Sequence, residues 1–311
     1  MSNCFTMLFY LICCSLMGLM TASKPLSILF IEPIPSISHH VWAVNLVKGL
    51  LRKGHHVHVV SIHETKVEDK LAQNLTCTVF DVMQTYEEAE DYNPSDWGEY
   101  SVIYTAYFTY QWGILACDTV TKTKAAKELL EMIKTVEFDV IVQDITLNQC
   151  FHGLWEVAKS KPPVVGFMPF GPAPWLKDYV GGPSYPTVRP YPHAAIAKPV
   201  GLWQRSLNAL YFVVDDLIRY YYFLPIIQRQ TEKYIGHAIR PLHEIEKDKI
   251  NIVLINSHPA FEPGIPMPPN SLEIGGLQAV QSSEIVGTYP KVGDYCFIYL
   301  KNCKYCRKML A

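Results

Sequence analysis

The hydrophobic pattern changes period along the chain, and each change marks an element. Ser27 to Glu32 (SILFIE) is a continuous apolar run, the pattern of a strand covered on both faces as in parallel sheets. A Pro/Ser turn from Pro33 to Ser38 follows. From His39 to Lys53 the apolar positions Val41, Val44, Val47, Leu50 and Leu51 take helical spacing, with Ser38 as the expected N-cap and Gly54 as the expected C′ residue. Val57 to Ile62 then predicts a second strand. Strand, tight turn, helix, strand is the opening of a doubly wound parallel α/β sheet, a Rossmann-like fold.

The alternation continues. Cys77 to Val82 predicts a third strand, and Thr119 to Thr135 a helix whose inner stripe is Ala125, Ala126, Leu129, Leu130 and Ile133. Phe138 to Gln143 predicts a fourth strand ending at Asp144, Gln149 to Lys159 a helix, and Val164 to Met168 a fifth strand. Prolines and glycines crowd Pro169 to Pro199, too long a stretch for an ordinary connection, which predicts a functional loop over the sheet. Helices over Gln204 to Phe223 and Ile226 to Ile235 follow, then strands at Ile250 to Ile255 and Leu272 to Gly276. There is no internal repeat.

Composition narrows the class. With 311 residues, 49% hydrophobic and 18% charged, the chain should fold, and a net charge of -2 offers no basic face for nucleic acid. Residues 1–23 carry no charge, and the apolar run Phe5 to Leu19 ends before Thr21-Ala22-Ser23; this reads as a secretory signal peptide, with an uncleaved anchor as the alternative. Asn74-Leu75-Thr76 is a glycosylation sequon, so both features point to the secretory pathway and the lumen of the endoplasmic reticulum. Leu207 to Ile227 holds Asp215, Asp216 and Arg219 at its centre, costly in hydrocarbon, and reads as a buried or interfacial helix. Beyond residue 23 the cysteines are Cys77, Cys117, Cys150, Cys296, Cys303 and Cys306, too sparse for a disulfide scaffold, and their pairing stays open. Cys296, Cys303 and Cys306 have no close His to complete four ligands, so no metal site is expected.

Ligands of open parallel sheets bind beyond the carboxyl ends of the strands. Two ionisable residues are expected there: His39 after the first strand and Asp144 after the fourth. The dipole at the start of the first helix should keep the His39 ring neutral and able to accept a proton, while Asp144 holds its tautomer and stabilises the imidazolium. Taken singly, His39 also fits a solvated loop histidine and Asp144 a helix cap. No G-x-S-x-G elbow supplies a nucleophile, and Cys150, near a strand end, reads as buried. A base without a nucleophile suggests that a substrate hydroxyl attacks.

These segments carry a family likeness. Ser38-His39-His40 through Leu50-Leu51-Arg52-Lys53-Gly54-His55-His56-Val57-His58-Val59-Val60 resembles the opening of animal UDP-glycosyltransferases, the UDP-glucuronosyltransferase family. Phe138 to Asp144 (FDVIVQD) is similar to that family's F-D-V-I-x-x-D, Gly181 to Pro186 (GGPSYP) and Ile252 to Ser257 match further segments, and Leu272 to Leu277 (LEIGGL) is similar to its V-G-G. The resemblance covers about Lys24 to Gln278 and implies the amino-terminal, acceptor-binding half of a GT-B fold.

In such a protein His39 and Asp144 would be the catalytic pair. The oxygen of a lipophilic hydroxyl acceptor would attack the anomeric carbon of a UDP-sugar with inversion, transferring a hexosyl or glucuronosyl group. The donor belongs to a second domain, so this half is expected to bind no cofactor. Candidate acceptor contacts are Phe108 and Trp112, in the aromatic stretch from Trp97, and Phe170, Pro174 and Trp175 in the Pro/Gly loop. Ordinary core packing fits Tyr100, Tyr104, Tyr107 and Phe108 equally well. The segment Tyr220 to Phe223 would touch a membrane surface, or make a tertiary contact instead. Residues 279–311 depart from the family and read as a divergent tail in place of the donor domain, which leaves the chain inactive alone. The alternative function is a non-catalytic lumenal protein that binds acceptors or pairs, as a homo- or hetero-oligomer, with full-length relatives.

Overall fold

The computed structural model describes residues 24–83, 100–194, 196, 198–260 and 265–279. The expected signal segment, Trp97 and the expected tail from residue 280, with its three cysteines, lie outside the described residues. Seven parallel strands make one sheet: β1 (Ser27–Glu32), β2 (His56–Ser61), β3 (Leu75–Val79), β4 (Val140–Asp144), β5 (Val164–Met168), β6 (Ile250–Ile255) and β7 (Ser271–Glu273). Their order is β3-β2-β1-β4-β5-β6-β7, the doubly wound α/β arrangement expected from the sequence. β1 sits between β2 and β4, so the order reverses there, and the crevice past the carboxyl ends of β1 and β4 is the switch point where such sheets bind ligands.

β1 explains why its pattern is apolar throughout. Leu29 and Ile31 enter the core on one face of the sheet, Ile28 and Phe30 the core on the other, the period of two that a strand imposes. On the second face Phe167 packs against Phe30, ring centroids 5.1 Å apart, and against Trp42 at 5.4 Å. Trp42 belongs to α1 (Ile37–Arg52), which starts two residues before the expected position, so Ser36 rather than Ser38 is its N-cap. Gly54 ends it as expected: φ is +85°, a conformation that favours glycine, and its N–H donates to the Leu51 carbonyl at 2.9 Å.

A four-residue α2 (Asp69–Ala72) precedes β3. The single helix expected over Thr119 to Thr135 is the end of α3 (Val102–Thr121) and the whole of α4 (Lys124–Thr135). Thr123 makes the break, its hydroxyl accepting from the Ala126 N–H at 3.1 Å as an N-cap, while the apolar stripe continues past it. α3 lies close over the segment after β4: a Cβ on Gly113 would come within 2.9 Å of the Leu147 side chain. A disulfide joins Cys117 on α3 to Cys150, 33 residues on. Instead of one helix over Gln149 to Lys159 there is a 3₁₀ turn at Gln149–Phe151 and a short α5 (Leu154–Val157).

The Pro/Gly stretch is not a loop over the sheet throughout. It contains α6 (Leu176–Val180), whose Leu176 and Tyr179 are buried in the main core with Trp175. α7 (Gly201–Ile218), a π turn at Arg219–Phe223 and α8 (Leu224–Ile235) then run on without interruption, followed by α9 (Leu242–Lys249). α7 carries its polarity reversed. Its buried residues are Asn208, Phe212 and Asp215, whereas Leu202 is 84% and Trp203 77% exposed and Leu210, Val213 and Leu217 are about half exposed.

The charges at the centre of this segment are what bind it. Asp215 accepts hydrogen bonds from the hydroxyls of Tyr110 (2.9 Å) and Tyr191 (2.7 Å). Arg219, fully buried, donates through Nε to Asp178 at 2.9 Å and through Nη2 to Glu246 at 2.7 Å. The other oxygen of Glu246 meets His152 Nδ1 at 3.1 Å. No described helix is long and apolar enough to cross a membrane.

Candidate active site

His39 is the third residue of α1, so its side chain reaches back toward the turn from β1 and the switch-point crevice. Asp144 is the last residue of β4 and is fully buried. The two meet: His39 Nδ1 lies 2.8 Å from Asp144 Oδ2, while Asp144 Oδ1 accepts from the Thr146 N–H at 2.8 Å. A carboxylate can only accept, so Nδ1 carries a proton, and in the neutral ring Nε2 keeps a lone pair. Among the described residues nothing bonds Nε2, and the side chain keeps 14% of its surface exposed. The arrangement is that of a general base whose tautomer is fixed from behind.

Burial by itself pulls the His39 pKa down, but the charge of Asp144 and the hydrogen bond to it are the main opposing causes, and the net shift is upward from 6.5. The expectation that the helix dipole sets a neutral ring is therefore corrected. The carboxylate, within bonding distance, dominates over a partial charge spread along the first turn.

Of the five expected acceptor contacts, Phe170 stands against the base. Two residues beyond β5, its ring centroid is 5.6 Å from that of His39. Trp175 is 5% exposed and packs in the main core against Tyr110, centroids 6.0 Å apart, because α6 turns the chain inward at that point. Pro174 is buried too and borders a cavity of about 10 Å³, room for one water. Phe108 is half-buried on the first half of α3, grouped with Tyr104 and with Tyr100 just before the helix, and Trp112 packs against the main core. Cys150 is fully buried and disulfide-bonded, so it is no nucleophile.

The segments that carried the family likeness have physical reasons to be as they are. Asn256, just past β6, donates to the Pro169 carbonyl at 2.9 Å and accepts from the Gly276 N–H at 3.1 Å, which ties the loop bearing Phe170 to the chain after β7. Ser257 Oγ donates to Glu273 at 2.8 Å, and a Cβ on Gly275 would sit 2.6 Å from the Ser257 carbonyl oxygen, so that position needs glycine. Asn74 is half-buried at the turn into β3, an edge strand.

Sequence reasoning overlooked the neighbours of the pair. Glu32, the last residue of β1, is fully buried, with Oε2 3.1 Å from His40 Nδ1. His40 Nε2 reaches the Glu64 carbonyl at 3.2 Å, and the ring of His63 lies 5.2 Å from that of His40. The signal was present: an acidic residue closing an otherwise apolar strand.

No family model matches the chain. It is 24% identical over 275 residues to UDP-glucosyltransferase 2 of Dactylopius coccus, covering 83% of this chain and 49% of that protein. A UDP-glycosyltransferase of the same organism matches at 24% over 270 residues, 83% of this chain and 48% of that protein. An ecdysteroid UDP-glucosyltransferase of Autographa californica nuclear polyhedrosis virus matches at 24% over 289 residues, 89% of this chain and 54% of the viral protein. The chain spans about half the length of these relatives. With its Rossmann-like sheet, the chain is similar to UDP-glycosyltransferases over about half of their length, an extent consistent with the amino-terminal half of such a protein.

Proposed function

We propose that the chain is the acceptor-binding half of a glycosyltransferase that uses a UDP-sugar, with His39 as general base and Asp144 as the residue that orients it. The observation that carries this reading is the 2.8 Å contact between His39 Nδ1 and Asp144 at the switch point, with Nε2 left open. His39 Nε2 takes the acceptor hydroxyl proton as that oxygen bonds to the anomeric carbon. The bond from that carbon to UDP breaks on the opposite face, which inverts the configuration. Asp144 stabilises the imidazolium so formed. Positioned base catalysis of this kind contributes about 10²–10⁴-fold. Phe170, against the base, supplies an apolar wall suited to a lipophilic hydroxyl compound. The donor is held by residues beyond this half.

The Cys117–Cys150 disulfide and the Asn74 sequon support a lumenal, oxidising location. The outward apolar residues of α7, Trp203 among them, and the 80% exposed Tyr221 of the π turn that follows support peripheral contact with a membrane surface. The test is to join this chain to the complementary half of a relative and follow UDP release with a phenolic acceptor. His39→Ala should lower kcat/KM by about 10²-fold or more, and a folded variant that keeps the full rate would overturn the assignment.

A further inference from the structure

Glu32 is the one further carboxylate on β1 and β4 at the mouth of the crevice. The parallel register pairs Ile31 with Gln143, so Glu32 and Asp144 stand side by side at the ends of neighbouring strands. Two adjacent buried anions would be unfavourable, and both would act on His39. The hydrogen bonds around His40 offer a way to avoid this when that ring is neutral. The Glu64 carbonyl can only accept, so His40 Nε2 donates to it. A neutral His40 ring then presents a bare Nδ1, and the bond at 3.1 Å requires Glu32 Oε2 to carry the proton.

We infer that Glu32 is a positioning residue for the catalytic base, held by His40 as a neutral carboxylic acid, so that Asp144 is the single anion acting on His39. Directions of titration agree: burial, then the Asp144 charge, raise Glu32 well above the ordinary carboxylate range, with His39 opposing, and burial lowers His40 despite its bond to Glu64. The ionisable groups facing Glu32 are Asp144 from β4, His39 and His40 from α1, and, behind His40, His63, itself lowered by burial and by His40. An ionised carboxylate beside Asp144 would lower the acid dissociation constant of the His39 imidazolium by an order of magnitude or more (~10-fold at an effective dielectric near 20). That would leave the ring protonated and unable to act as a base near neutral pH.

The inference rests on His39 being the base, and its test does not depend on turnover. In the full chain with ¹³C-labelled glutamate, the difference infrared spectrum between wild type and Glu32→Gln at neutral pH should contain a protonated-carboxyl stretch that the variant lacks. The acid dissociation constant of His39, read from ring ¹⁵N shifts, should change by less than twofold in Glu32→Gln, whose amide still donates to His40. Glu32→Leu removes that donor and should broaden or shift the His40 resonances, which Gln preserves. A carboxylate stretch for Glu32, or a rise of tenfold or more in the acid dissociation constant of His39 in Glu32→Gln, would overturn the inference. Either result would leave the dyad itself standing, since the dyad is judged by UDP release in His39→Ala.

Discussion

The molecule contains two histidine–carboxylate pairs of nearly the same geometry and opposite character. His39 and Asp144 are 2.8 Å apart at the crevice, and His152 and Glu246 are 3.1 Å apart in the interior. In the first, the carboxylate has no other charged partner at bonding distance among the described residues and the ring keeps an open edge; the pKa of the ring is raised. In the second, Arg219 shares Glu246, both side chains are fully buried, and the ring is stacked 4.1 Å from Trp155. There burial lowers the His152 pKa more than Glu246 raises it, with Arg219 adding to the fall. A close contact between imidazole and carboxylate therefore does not make a base. Access for a substrate, and the absence of a competing cation on the carboxylate, decide it.

The sharpest way to break this comparison is to remove the cation. Arg219→Met leaves Glu246 and Asp178 buried without their partner and should destabilise the fold by about 3–5 kcal/mol, measured as a fall in the urea midpoint. An unchanged midpoint would mean that the interior pair does not depend on Arg219. Next in size is the functional contrast in the joined enzyme. Asp144→Asn should cost turnover about 10²-fold or more while shifting the unfolding midpoint far less than Arg219→Met. His152→Leu should do the reverse, losing about 1–3 kcal/mol of stability from the broken buried bond with kcat/KM within a few-fold of wild type. Equal loss of turnover in both variants would erase the distinction between the pairs.

The smallest effect is the most diagnostic, because the two histidines couple to pH with opposite sign. The folded pKa of His39 is above 6.5, so its contribution to stability is present in full below that value and fades as pH rises through the folded pKa. His152 lies below 6.5 when folded, so its contribution is present above 6.5 and is lost as pH falls toward the folded value. Replacing each by Gln and following the unfolding midpoint across this range should tilt the profile in opposite directions. Profiles that tilt the same way would refute the assignment. The raised His39 pKa also sets the acid limb of activity, which should fall as pH drops through a value above 6.5.

Legibility from sequence followed the same division. β1, β5 and β6 occupy the residues expected of them, β1 and β5 because a strand buried on both faces needs a continuous apolar run. His39 and Asp144 were legible because position at a strand end is a local property. His152 and Glu246 are 94 residues apart, and Arg219 reaches them from a third segment, so no pattern along the chain relates them. Trp175 was misplaced because prolines and glycines describe backbone conformation and do not say on which side of the surface the chain runs. Glu32 was read only as the end of a strand, since its proton depends on a neighbour strand and on the helix that follows.

The Cys117–Cys150 link bears on the catalytic pair in a way that its distance from the crevice conceals. Cys150 lies six residues beyond Asp144, and its partner is on the helix packed across that segment. Closing a loop of 33 residues removes about 3–4 kcal/mol of freedom from the unfolded chain. Reduction returns that freedom to the unfolded chain and so weakens the fold that holds Asp144 in place, which makes the thiol balance of the compartment in which the chain folds a setting on how firmly the residue that orients the base is mounted.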